Sequence, residues 1–102
     1  MTSPQETETH DVTLSREERW IAHHVLTTRA DDVLDDGESP PEWILESFET
    51  LEEGGETFTR TQTRRLSDAL LVYASEDATP EEDAALAASI VDRLEAELEL
   101  PP

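Results

Sequence analysis

Residues 14–26 read Leu14-Ser15-Arg16-Glu17-Glu18-Arg19-Trp20-Ile21-Ala22-His23-His24-Val25-Leu26. A serine followed three residues later by glutamate, just ahead of a helically spaced apolar run, is a capping box. The serine oxygen accepts a backbone N–H at the helix start, and the glutamate reaches back to the Ser15 N–H. The pattern predicts a helix over about residues 16–34. Trp20, Ile21, Val25 and Leu26 form its inward face, extended by Ala22, Ala30 and Leu34. Asp35-Asp36-Gly37-Glu38 then turns the chain. Upstream, Asp11-Val12-Thr13-Leu14 alternates polar and apolar, which predicts a short strand over residues 12–14. Residues 1–10 are polar without a period and read as a mobile acidic tail. That leaves residues 11–100 as a single small helical domain.

The same signals recur downstream. Ser39-Pro40 reads as N-cap and first helical residue, opening a helix of about residues 40–53. Its buried stripe is Trp43, Ile44, Ser47, Phe48 and Leu51, and Gly54-Gly55 ends it. Glu56-Thr57-Phe58 is extended, and Thr59 with Gln62 makes a second capping box for a helix over residues 60–75. That helix turns Leu66, Ala69, Leu70 and Tyr73 inward. Thr79-Pro80-Glu81-Glu82 starts a last helix over about residues 80–98, with Leu86, Ile90, Leu94 and Leu98 in an i, i+4 line. The chain therefore reads as mainly all-α, with four helices. Leu14-Ser15-Arg16 is echoed by Phe58-Thr59-Arg60, and Ser39-Pro40 by Thr79-Pro80. Two strand-helix-helix halves of this kind would set residues 12–14 beside 56–58 as a short antiparallel pair. Leu45, Leu71 and Val72 fall off the buried stripes and are where a homodimer would form.

Composition bounds the rest. The 102 residues hold 26 acids against 7 basic residues, all arginine, for a net charge of −19. Cysteine is absent, which excludes disulfides, thiolate metal sites and thiol nucleophiles. No apolar run approaches the roughly 18 residues of a membrane span, so a soluble cytoplasmic protein without membrane contact is expected. So much carboxylate makes a compact chain repel itself in dilute buffer. Molar salt, with a Debye length of about 3 Å, screens that repulsion. The acidity therefore reports a salty solvent, and the protein reads as halophilic.

Residues 13–26 also resemble the opening segment T-L-[ST]-R-E-E-x-W-x-x-H-H-V-L of a family of small haloarchaeal proteins of unknown function. Phe48 and the stretch Leu66 to Tyr73 correspond to that family's second-helix phenylalanine and its L-x-x-x-L-x-x-Y helix. The likeness spans roughly residues 12–98. It implies a haloarchaeal origin and a short helical protein, and no activity.

Few residues offer chemistry. His23 and His24 are adjacent, so on a helix they point about 100° apart and do not chelate one ion. His24 falls on the Trp20 face and should be partly buried, packing on the indole, whereas His23 lies nearer the exposed side. Acidic pairs such as Asp31-Asp32 and Glu52-Glu53 sit in turns or at helix ends without the apolar cover that would raise a pKa. No phosphate loop, nucleophile elbow or zinc motif is present. We therefore expect no enzyme activity, no cofactor and no metal.

The anomaly is charge placement. Residues 57–75 carry Arg60, Arg64 and Arg65 against Asp68 alone, between flanks that are strongly negative. Cations in the first turns of a helix oppose its dipole by a few tenths to about 1 kcal/mol. One reading pairs Arg64 and Arg65 with Glu46, Glu49 or Glu53 of the preceding helix. The functional reading makes Arg60, Arg64 and Arg65, with His23, the surface of a noncatalytic protein-interaction or adaptor domain whose protein partner is unknown. The alternative is a helix-turn-helix-like nucleic-acid-binding regulator using the start of the third helix, because Thr, Gln and Arg contact phosphates and bases. Nucleic acid is disfavoured, since the other acids repel phosphate and molar salt removes counterion-release affinity.

Overall fold

A computed structural model describes residues 9–99. Its elements are β1 (Thr9–Asp11), α1 (Arg16–Asp35), α2 (Glu42–Glu52), β2 (Thr57–Thr59), α3 (Arg60–Ser75) and α4 (Glu81–Glu99). The fold is mainly all-α, with four helices and one two-stranded antiparallel sheet. The α3–α4 hairpin makes the most extensive contact. Helix α1 lies against both its members, and α2 bridges α1 and α3. Among the described residues, no helix is long and apolar enough to cross a membrane.

Both capping boxes form. Ser15 Oγ accepts the Glu18 N–H at 3.2 Å while Glu18 Oε1 accepts the Ser15 N–H at 2.8 Å. Thr59 and Gln62 repeat the exchange at 3.1 and 2.9 Å. Glycine at positive φ closes α1 at Gly37 and α2 at Gly54. Behind Gly54, the Gly54 and Gly55 N–H groups donate to Leu51 O and Thr50 O, satisfying the last carbonyls of the helix.

The other two helix starts differ from the sequence reading. Helix α2 begins at Glu42, behind Pro41 in extended geometry and without a side-chain cap, so Ser39 is not its N-cap. A residue before proline is pushed out of the α region, and Pro41 does this to Pro40. Helix α4 begins at Glu81, with Pro80 O accepting from Ala84 N. The Thr79 hydroxyl instead donates to Tyr73 O at 2.7 Å, joining the Glu76 N–H on that carbonyl at the end of α3.

The sheet is displaced from its expected position. Thr9 pairs with Thr59, His10 with Phe58 and Asp11 with Thr57, so the first strand is residues 9–11 and not 12–14. The second is residues 57–59, one residue later than expected. Antiparallel pairing that starts at Thr59, the cap of α3, must run back along the partner, and the ladder ends where Gly54-Gly55 turns away. One further bond, Val12 N to Glu56 O at 2.8 Å, closes it. Residues 12–15 are held another way. Val12 and Leu14 are buried, and Arg93 of α4 donates to Thr13 O at 2.6 Å. Thr9 and His10 thus belong to the fold, and the rest of the expected tail, residues 1–8, lies outside the described residues. His10 is 7% exposed, its Nδ1 3.5 Å from Glu97 Oε1 near the end of α4.

The core is Ile21, Leu26, Ile44, Phe58, Leu66, Leu70, Ile90 and Leu94, with smaller residues between them. Trp20 departs from the expected inward face: it is 61% exposed, and Leu34 is also exposed. Ala22, Val25 and Leu26 fill the α1 side of the core, so the indole one residue before Ile21 is left at the edge. Leu45, Leu71 and Val72 are exposed, as their off-stripe positions require.

Candidate functional site

The start of α3 carries the charge anomaly into three dimensions. The first turns of α1, α2 and α4 hold acids, and that of α3 holds none. Within Thr59 to Arg65, the side chains sort by direction. Gln62 and Thr63 are buried, Gln62 Nε2 donates to Glu46 Oε2 at 2.7 Å, and Thr63 Oγ1 donates to Thr59 O at 2.7 Å. Arg60, Thr61, Arg64 and Arg65 remain, and among the described residues these four line a depression of about 130 Å³. The pairing of Arg64 and Arg65 with α2 does not occur: Glu46 is engaged by Gln62, and neither arginine makes an ion pair or hydrogen bond with another described residue. Arg16 and Arg29 also lack ion pairs but border depressions that include carboxylates. No acid among the described residues borders the depression formed by Arg60, Thr61, Arg64 and Arg65.

His23 is not brought to this surface. Its ring meets Phe48 edge-on, centroids 5.0 Å apart, and its Nε2 lies 3.8 Å from Glu52 Oε1 on α2. It shares a shallow depression with Arg16, Arg19, Trp20 and Leu51. The link from α2 to α3 holds β2 and is longer than the three- to four-residue turn of a helix-turn-helix. With Gln62 and Thr63 turned inward, the polar string no longer presents a continuous reading face.

A second concavity was missed by the sequence reading. It lies between α1 and α3, closed at one end by the α3–α4 turn, with a volume of about 460 Å³. Its α1 wall is the ridge Trp20, His24, Thr28 and Asp32, four residues apart, with Arg29 beside it. Trp20 and His24 stack parallel, centroids 5.4 Å apart, as the spacing predicts, but His24 is exposed and not partly buried, because the indole it packs on is itself exposed. Tyr73 of α3 meets His24 edge-on at 5.6 Å, and its hydroxyl donates to Asp83 Oδ2 at 3.3 Å. Burial, then the charge of Asp83, its hydrogen bond and the charge of Glu76, push the Tyr73 phenol above its ordinary value. The signal that could have found this site is the aromatic-polar ridge itself. A helix face repeating Trp, His, Thr and Asp at every fourth residue is too polar for a core. Among the described residues, no group of three or more His, Asp or Glu is placed to hold a metal ion.

An all-α domain with an arginine-rich helix start and an aromatic groove defines no activity class by itself. The chain belongs to a family of unknown function, DUF7853, which it matches over residues 12–95. No curated protein and no solved structure matches it.

Proposed function

We propose that this is a noncatalytic, halophilic, intracellular interaction domain that docks an acidic segment of a partner protein on Arg60, Arg64 and Arg65. The observation that carries it is that Arg64 and Arg65, in a chain with 26 acids, border a depression that no acid among the described residues lines. An arginine that only neutralised the fold's own charge would sit against a carboxylate, as Arg93 does against Glu18. Arg64 and Arg65 sit against none among the described residues. Guanidinium forks match carboxylates bidentately and hold them better than ammonium groups do. Short contacts of this kind persist at molar salt, whereas long-range attraction between separated charges is screened. A nucleic-acid backbone would run beyond three arginines onto a carboxylate surface that repels it.

The test is co-purification from a lysate kept in molar KCl, followed by direct binding of whichever protein is retained. Replacing Arg60, Arg64 and Arg65 together by alanine should abolish retention of that protein while helicity is unchanged. If the triple variant holds every protein that the original holds, the arginine face is not the docking surface.

A further inference from the structure

The groove between α1 and α3 plays no part in docking at the arginine face, and its chemistry points to a different ligand. Three observations constrain what could fill it. First, Trp20 is 61% exposed although stacked on His24, and Val72 at the same mouth is exposed too. A chain this polar presents few large apolar groups, and two at one concavity mark a binding surface. Second, Asp32, Glu76 and Asp83 line the groove against a single cation, Arg29, which pairs with none of them. The upward displacement of the Tyr73 phenol, caused in part by Asp83 and Glu76, is a second sign of negative potential there. Third, among the described residues these carboxylates do not converge as a metal site does. A compact metal ion needs oxygens gathered at one point; a large cation with spread charge does not.

We propose that this groove binds a small organic ammonium ion, its alkyl body against the Trp20 and Tyr73 rings and its positive charge facing Asp32, Glu76 and Asp83. The volume of about 460 Å³ lies within the range of small-molecule sites. Aromatic faces attract such cations through the ring quadrupole, and methylated ammonium leaves no N–H group unsatisfied against them. An anion would meet three carboxylates, and a neutral apolar molecule would leave those carboxylates unused.

The full chain, with Trp43→Phe so that Trp20 alone reports, is titrated with choline and with its neutral isostere 3,3-dimethylbutan-1-ol, both in 2 M KCl. Choline should give a saturable change in Trp20 fluorescence, with the alcohol about tenfold weaker or more. Glu76→Gln combined with Asp83→Asn should weaken choline about fivefold or more with helicity preserved. Asp35→Asn combined with Asp36→Asn, in the turn after α1 and outside the groove, should leave binding unchanged. The proposal is overturned if choline gives no saturation, since potassium is then an equal occupant. It is equally overturned if the alcohol binds as well, or if the turn variant weakens binding as much as the groove variant. Loss of the arginine-face partner would affect none of these readings.

Discussion

Tyr73 is the one residue whose titration can be read without interference. The chain has a single tyrosine, no lysine and no cysteine, so no other side chain changes charge between histidine and arginine. Its phenol is pushed up in the fold by burial and by Asp83 and Glu76. The folded state therefore holds the proton more tightly than the unfolded chain, whose phenol titrates near pH 10. The resulting stability is fully present below about pH 10 and is lost as the pH rises through the higher folded value. We expect the 295 nm phenolate absorbance of the native protein to rise above pH 10. Urea stability should fall between about pH 10 and the folded phenol's titration, and Tyr73→Phe should flatten that fall. Glu18 is the second residue with a double role. One carboxylate oxygen caps α1, and the other pairs with Arg93 of α4, at 5% residue exposure. Glu18→Ala should cost about 2 kcal/mol, combining the lost cap with the lost ion pair to Arg93. Glu18→Gln, which keeps a cap acceptor and loses the ion pair, should cost roughly half as much, measured by urea denaturation. Only the local half of this arrangement was legible in the sequence. The serine–glutamate spacing announces the cap, but nothing local joins Glu18 to an arginine on the last helix.

Elements were legible where their signals are local. Both capping boxes and both Gly-terminated helices follow from adjacent residues, and the helices lie within two residues of their expected ends. What failed depended on a distant partner or on competition between neighbours. The strand position was set by where Thr59 caps α3, not by the alternation at Asp11 to Leu14. The Ser39 cap lost to Pro41, and the Thr79 hydroxyl was taken by the end of α3. Trp20 was misplaced because hydrophobicity alone does not say which large residue on a helix reaches the core. The arginine side of the candidate site was legible as a break in charge, whereas the groove, assembled from α1 and the α3–α4 turn, was not. The α1 ending gives a clean test at this scale. Gly37 sits at φ +79°, and a Cβ there meets nothing within 4 Å. Gly37→Ala should therefore cost only the backbone penalty, about 1 kcal/mol, with no steric addition. Gly37→Asn should cost less, because asparagine tolerates the left-handed region. Thermal melts of the two variants against the original measure both.

At the scale of the whole molecule, the question is how a small core coexists with a net charge of −19. The fold supplies some local compensation, such as Arg93 on Glu18 and Arg19 on Glu56. Seven arginines cannot neutralise 26 acids, however, and three of the seven sit together at the start of α3. The uncompensated carboxylates repel one another more strongly in the compact state than in the expanded chain. Two effects of salt then have different shapes. Screening acts early, because the Debye length falls from about 10 Å at 0.1 M to about 3 Å at 1 M and little remains to be gained beyond. Strengthened burial of apolar groups by excluded salts grows steadily with concentration. We expect the urea midpoint to rise steeply between 0.1 and 1 M KCl and then to level. Asn at Asp31, Asp32, Asp35 and Asp36, four acids at the end of α1 and its turn, should raise the midpoint at 0.1 M and reduce the steep rise. A midpoint that climbs in a straight line to 3 M KCl, identically in both proteins, would assign the salt response to core burial. It would also remove the reason for treating the carboxylate coat as an adaptation to solvent, and with it the contrast that makes the arginine face stand out.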